Sequence, residues 1–147
     1  MRAMFEGRIR EGVVTGRLEK GDVLPDALLD VCREHGVRAG WLFAIGAVSS
    51  ISITAYAQKG QRYLENVEAS GDIEILSLAG NVSLLDGEPF LHLHVVAAKE
   101  EDGQMQPIAG HLVRAEVFAL EFLILPVSGV ALERSYDELT GLKLWRR

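Results

Sequence analysis

Two Asp-Gly pairs, Asp86-Gly87 and Asp102-Gly103, each stand between apolar runs, and they restrict the fold more than any other feature of the chain. A two-residue hairpin turn needs positive φ at its central positions, which Asp-Gly adopts at little steric cost. Each pair therefore predicts two antiparallel strands in a fixed register. The second turn is centred at 102.5, and so is the midpoint of His94 and His111. These two histidines are expected to stand opposite one another and to point to the same face. His92 shares that face, because side chains alternate along a strand. The first turn, by the same arithmetic, sets Asn81 opposite His92 and Ala79 opposite His94.

Three of the four histidines thus converge on one side of the sheet, among Ser77, Ala79, Asn81 and Ala109. The other side collects Leu76, Leu78, Val82, Leu84, Leu91, Leu93, Val95 and Leu112, a packed core. Pro107 has no N–H to give, so a bulge that shifts the second ladder is expected there. Neutral imidazole binds zinc at about 2.0–2.1 Å, and three such ligands leave a fourth position for water or substrate. His92, His94 and His111 are accordingly the candidate metal ligands. Zinc is the first choice, and iron, nickel or copper would accept the same donors. Asn81 or a nearby carbonyl is expected to hold the second nitrogen of one ring. The bland alternative is three histidines satisfied by hydrogen bonds. His35, at a helix end, reads as structural through the helix dipole.

Elsewhere the pattern is mostly strand. Glu11 to Leu18 opens the series, and one helix follows, with Asp22 as its cap, Pro25 in its first turn and Leu24, Leu28 and Val31 at helical spacing. Gly36 is placed to close it. Then come Trp41 to Val48, Ile51 to Tyr56, a weaker Tyr63 to Ala69, Asp72 to Leu85, Phe90 to Ala98, Ile108 to Val113, Val117 to Leu125 stopped by Pro126, and Val130 to Tyr136. One main helix packed on a mostly antiparallel or mixed sheet makes an α+β domain. No linker divides residues 1–147, so one domain is expected. Trp41 and Trp145 read as packing residues, Trp145 against a neighbouring subunit.

With 48% apolar residues the chain can fill a core without disulfides, and its single Cys32 has no internal partner. The opening Met1-Arg-Ala-Met-Phe-Glu-Gly7 lacks the apolar stretch of a signal peptide, and no run approaches a membrane span of about 18 residues. A cytoplasmic protein is expected, with no membrane partner. The net charge is −6. Its basic residues are scattered, with Arg2, Arg8, Arg10 and Arg17 near one end and Arg146 and Arg147 at the other, whereas duplex binding draws affinity from a basic stripe.

Glu74, Glu121, Glu133, Arg134 and Asp137 are charges in or beside apolar strands. In a catalytic reading, Glu74 or Glu121 serves as general base toward metal-bound water and Arg134 holds an anionic substrate. In a structural reading, Arg134 pairs with Glu74 or Asp137 and fixes turn or subunit geometry.

The string Gly71-Asp-Ile-Glu-Ile-Leu-Ser-Leu-Ala-Gly-Asn-Val82, then Pro89-Phe-Leu-His-Leu-His94 and Gly110-His111-Leu112, resembles the plants-and-prokaryotes conserved (PPC) domain. Arg17-Leu18, Gly21-Asp22, Ile45-Gly46-Ala47, Glu133-Arg134, Asp137 and Thr140-Gly-Leu142 extend the resemblance over nearly the whole chain. Where the family has Gly-Gly-His, this chain has Ala109-Gly110-His111. The resemblance implies a compact α+β fold, a homotrimer and a metal on the histidine triplet. In plants the domain follows AT-hook segments and is associated with DNA binding and transcription regulation; Gly7-Arg8-Ile9-Arg10 is not such a hook. The plant domain's partner-binding role maps to Gly71 to Leu76. The fold is also similar to acetolactate decarboxylase, which holds zinc with three histidines. Three functional classes follow: a zinc-binding trimer with a regulatory or partner-binding role, a zinc-dependent lyase or hydrolase acting on a small anionic substrate, and direct DNA binding through a trimeric surface, which the charge does not support.

Overall fold

The computed structural model describes residues 7–9 and 11–146. The opening Met1 to Glu6, and Arg2, Arg10 and Arg147 among the scattered basic residues, lie outside the described residues. Three short strands come first, β1 (Arg8–Ile9), β2 (Val14–Leu18) and β3 (Val23–Leu24), then the helix α1 (Asp26–Glu34). Leu28 and Cys32, one turn apart, are the buried stripe of α1. Asp22 does not cap it. Its carboxylate accepts the Glu19 N–H at 2.9 Å and closes the turn before β3, and Pro25 takes the N-cap position. Gly36 follows in the left-handed region, φ 62°, as its place after His35 predicts.

Long strands make up most of the rest: β4 (Gly40–Thr54), the small pair β5 (Tyr56–Ala57) and β6 (Arg62–Tyr63), then β7 (Val67–Leu85), β8 (Glu88–Glu101) and β9 (Gln104–Ser128). A last hairpin, β10 (Arg134–Asp137) and β11 (Leu142–Trp145), ends the chain. Several expected strands merge. Trp41 to Val48 and Ile51 to Tyr56 are parts of one strand up to Thr54, and Ile108 to Val113 runs into Val117 to Leu125. Pro126 does not stop β9, which continues to Ser128. The Val130 to Tyr136 strand shrinks to β10, and β11 was not expected.

The main sheet has the order β1-β9-β4-β7-β8, with β2 and β3 also on β9. Because β8 pairs with β9 as well, the sheet closes on itself. Leu42, Leu78, Val82, Leu93, Leu120 and Ile124 fill its interior together with Leu28 of the helix. Both Asp-Gly turns have positive φ at both residues. The predicted register holds: Ala79 faces His94, Asn81 faces His92, and His94 faces His111.

Two expectations fail. The β8–β9 ladder runs past Pro107, opposite Ala98, without any shift. That stretch of β9 precedes its pairing with β4, which begins at His111, so the ring occupies an edge where no second neighbour needs an N–H. The irregularity lies instead in β7 between Ile75 and Ser77. It turns Leu76 outward, 59% exposed, while Ile75 enters the core in its place.

At two glycines neighbouring backbone approaches closely. A Cβ on Gly80 would overlap the carbonyl oxygen of His92, and one on Gly110 would lie 2.8 Å from the carbonyl oxygen of Thr54. The clash at Gly80 is with backbone, which cannot step aside cheaply. Gly80→Ala is expected to destabilise the protein by about 3 kcal/mol. Urea unfolding should show this as a lower midpoint with an unchanged slope; an unchanged midpoint would refute the close approach.

Candidate metal centre

β8 delivers His92 and His94, and β9 delivers His111 directly across from His94. Alternation puts Leu91, Leu93 and Val95 inside the closed sheet, which forces the intervening histidines outward. Ring centroids are 4.9 Å apart for His92 and His94, 5.1 Å for His92 and His111, and 5.6 Å for His94 and His111. One nitrogen from each ring lies within 4.8 Å of the other two. A tetrahedral ion with bonds of about 2.0–2.1 Å holds its nitrogens about 3.3 Å apart, a gap that small side-chain rotations close. Among the described residues, no protein hydrogen bond engages any of the three rings. The donor set suits a borderline metal ion, and the residues fit one.

Asn81 does not support a ring. Its Oδ1 accepts from Arg134 Nη2 at 2.9 Å. Arg134, at the start of β10, also donates from Nε to Ser83 Oγ at 2.7 Å and from Nη1 to the carbonyl of Lys143 at 2.8 Å. Its guanidinium lies 5.2 Å from the Phe90 ring centre. The expected ion pairs with Glu74 or Asp137 do not form. Asp137 instead accepts the N–H and hydroxyl of Thr140, closing the β10–β11 turn. Glu133 reaches the Gly87 N–H at 3.2 Å and so ties this segment to the β7–β8 turn. Trp145 packs edge-on against Trp41 of its own chain, centroids 6.5 Å apart.

Two small hairpins stand over the histidines. Tyr63 of β6 lies beside His111, centroids 5.7 Å apart, and Tyr56 of β5 packs on Tyr63 at 5.1 Å. Tyr56 donates to the carbonyl of Thr140, and Gln61 Nε2 to that of Leu139, joining the β5–β6 hairpin to the β10–β11 turn. Under this arch is a cleft of about 950 Å³ whose walls include Phe90, Leu142 and Leu144. Sequence reasoning missed the tyrosines and the last strand. β5, β6 and β11 are too short to carry a period, and nothing in their spacing ties them to the histidines.

Burial pushes the His92 imidazole down from its ordinary 6.5 to about 4, helped by the Arg134 charge and the other two rings. His111 moves the same way, through burial first and then His94 and Arg134. Both are held neutral, the form that binds metal. Glu74 and Glu121 are exposed and do not line the cleft. Glu121 borders a separate shallow depression with Phe43, Ile45 and Leu123.

A family model described as the Plants and Prokaryotes Conserved (PCC) domain matches residues 7–128. No curated protein sequence matches the chain. The structure is similar to that of a metal-containing protein from Archaeoglobus fulgidus, at 40% identity and a TM-score of 0.91, covering 99% of this chain and 100% of that one. It is also similar to a plant- and prokaryote-conserved protein from Pyrococcus horikoshii, at 29% identity and a TM-score of 0.89, covering 99% and 98%. A Bacteroides thetaiotaomicron protein described as a candidate DNA binder shares the fold at 23% identity, with a TM-score of 0.82 and 98% of each chain covered.

Metal-free protein should lose stability as the pH falls from 6.5 toward 4. In that window the unfolded chain takes a proton on His92 that the folded chain refuses, so the stability present above 6.5 is lost as pH drops through the folded value of about 4. Thermal melts of chelated protein across this range test it, and His92→Gln should flatten the slope.

Proposed function

The chain belongs to the Plants and Prokaryotes Conserved domain family, and on that premise we propose that it is a cytoplasmic, zinc-binding homotrimer with a regulatory or partner-binding role. Residues 1–147 form one such domain in this reading. The observation that carries it is the convergence of three imidazole nitrogens within 4.8 Å on a rigid ladder. His92, His94 and His111 hold the ion and leave a position open toward the cleft. The metal-containing relative at 40% identity supports a bound ion. When bound, zinc supplies a Lewis-acidic position for one further ligand.

Support for assembly comes from the outer sheet face. Phe43 and Ile45 are 45% and 56% exposed, and they meet Leu123 and Ser77 around the depression beside Glu121. Ser77 also lines the histidine cleft, so copies docked on this face would border the metal site. An apolar area of this kind on a sheet marks a contact surface. Outward-turned Leu76 ends the segment from Gly71 that the family resemblance assigns to partners.

Direct duplex binding has less support. Net charge is −6, and Arg17, Arg33 and Lys99 are each engaged by a carboxylate of the same chain. No helix among the described residues is long and apolar enough to cross a membrane. The second reading, a zinc-dependent lyase or hydrolase acting on a small anionic substrate, is favoured by the open coordination position. Against a hydrolase, no Asp or Glu lines the cleft among the described residues to act as base, and neither Glu74 nor Glu121 reaches it.

Elemental analysis of untagged protein should find one zinc per chain, and none in the His92→Ala, His94→Ala double variant. Wild-type protein that takes no metal after incubation with zinc would refute the reading. Sedimentation should give a trimer mass for the wild type and a smaller species for Phe43→Glu; an unchanged mass would move the interface elsewhere.

A further inference from the structure

The histidine cleft carries a charge imbalance. Its charged lining residues are Arg134 and Lys143, both basic, in a chain whose net charge is −6. Arg134 is only 9% exposed, and its three hydrogen bonds go to a hydroxyl, a carbonyl and an amide oxygen, all neutral. A cation withdrawn from water normally faces a carboxylate, because an uncompensated buried charge is costly. These bonds use one N–H on each nitrogen and leave a second on both terminal nitrogens. Asn81, which holds the guanidinium, is directly opposite His92, so this cation stands one strand away from the metal position. A divalent ion on neutral imidazoles adds positive charge to the same place.

What would balance the site is an anion, and the walls say which kind. Phe90, Leu142 and Leu144 are apolar, and the volume of about 950 Å³ suits a small molecule. A guanidinium edge matches the planar fork of a carboxylate, and the apolar walls suit a carbon body that inorganic phosphate lacks. We infer that the cleft receives a small organic carboxylate, its anionic head shared between the histidine-held metal and Arg134 and its apolar body against Phe90, Leu142 and Leu144. This rests on the metal reading above and adds to it the chemical class of the ligand. Arg134 is then a binding residue, and its neutral partners aim it.

The test begins with zinc content, so that the two readings fail separately. Wild-type protein without zinc overturns both. On zinc-loaded full-length protein, calorimetric titration compares phenylacetate, acetate, phenylacetamide and inorganic phosphate, and the cobalt-substituted form reports ligation through its visible absorption. Phenylacetate should bind and alter the cobalt spectrum, acetate should bind more weakly, and phenylacetamide should do neither. Arg134→Met should keep its metal and bind phenylacetate about 30-fold more weakly, the scale for truncating one partner of a hydrogen-bonded charge pair. The inference is overturned, with the metal reading intact, if zinc-loaded protein ignores all three acids at millimolar concentration, treats acid and amide alike, prefers phosphate, or is unaffected by Arg134→Met. Should Arg134→Met fail to fold, the acid–amide comparison on the wild type still decides.

Discussion

Backbone hydrogen bonds between β8 and β9 lock one register from Glu101 and Gln104 at the turn to His94 and His111 at the far end. A slip of one residue would carry His111 to the inside of the sheet and Leu112 to the outside. The Asp102-Gly103 turn prevents this from one end, and the burial of Leu91, Leu93 and Val95 prevents it along the strand. The apolar core and the imidazole cluster are therefore one fact seen from two sides. Whatever packs the leucines also aims the histidines, and the site needs no structure of its own to be rigid.

That coupling explains what the sequence made legible. Turn chemistry and period-2 alternation act over a few residues, and both ladders around β8 follow from them. The bulge at Leu76 did not, because it arises where β7 answers to neighbours on both sides, β4 and β8, whose registers differ. The Pro107 bulge was expected from the residue alone and fails because strand position, open on one side there, decides whether an N–H is missed. Asp22 has the chemistry of a helix cap but serves the preceding turn, since β3 intervenes before the helix begins. Competition between nearby structures, not propensity, settled each of these.

Of the groups around the histidines, Arg134 was singled out in the sequence, and the two tyrosines came from parts of the chain with little local signal. Arg134, Tyr56 and Tyr63 enter on hairpins of two to four residues a strand. Such short pairs are not stable alone, and here they are held by bonds to each other and to the β7–β8 turn. The division is physical. Long strands fix where the donors are, and short hairpins fix what else a bound molecule would meet. Between relatives, the second can change without disturbing the first.

β9 touches more of the molecule than any of its neighbours, pairing with β1, β2, β3, β4 and β8 along its 25 residues. Its partners are drawn from both the start and the middle of the chain, so most of its ladder must wait for distant segments to meet. Loop closure comes before reward, which places such a topology among the slower folders. The same dependence acts in reverse. Peeling β9 away would undo the closure of the sheet, strip the three N-terminal strands of their shared partner and separate His111 from the other two histidines in a single event. Assembly and loss of the histidine cluster are thereby tied to the cooperative folding of the whole closed sheet rather than to any local melting.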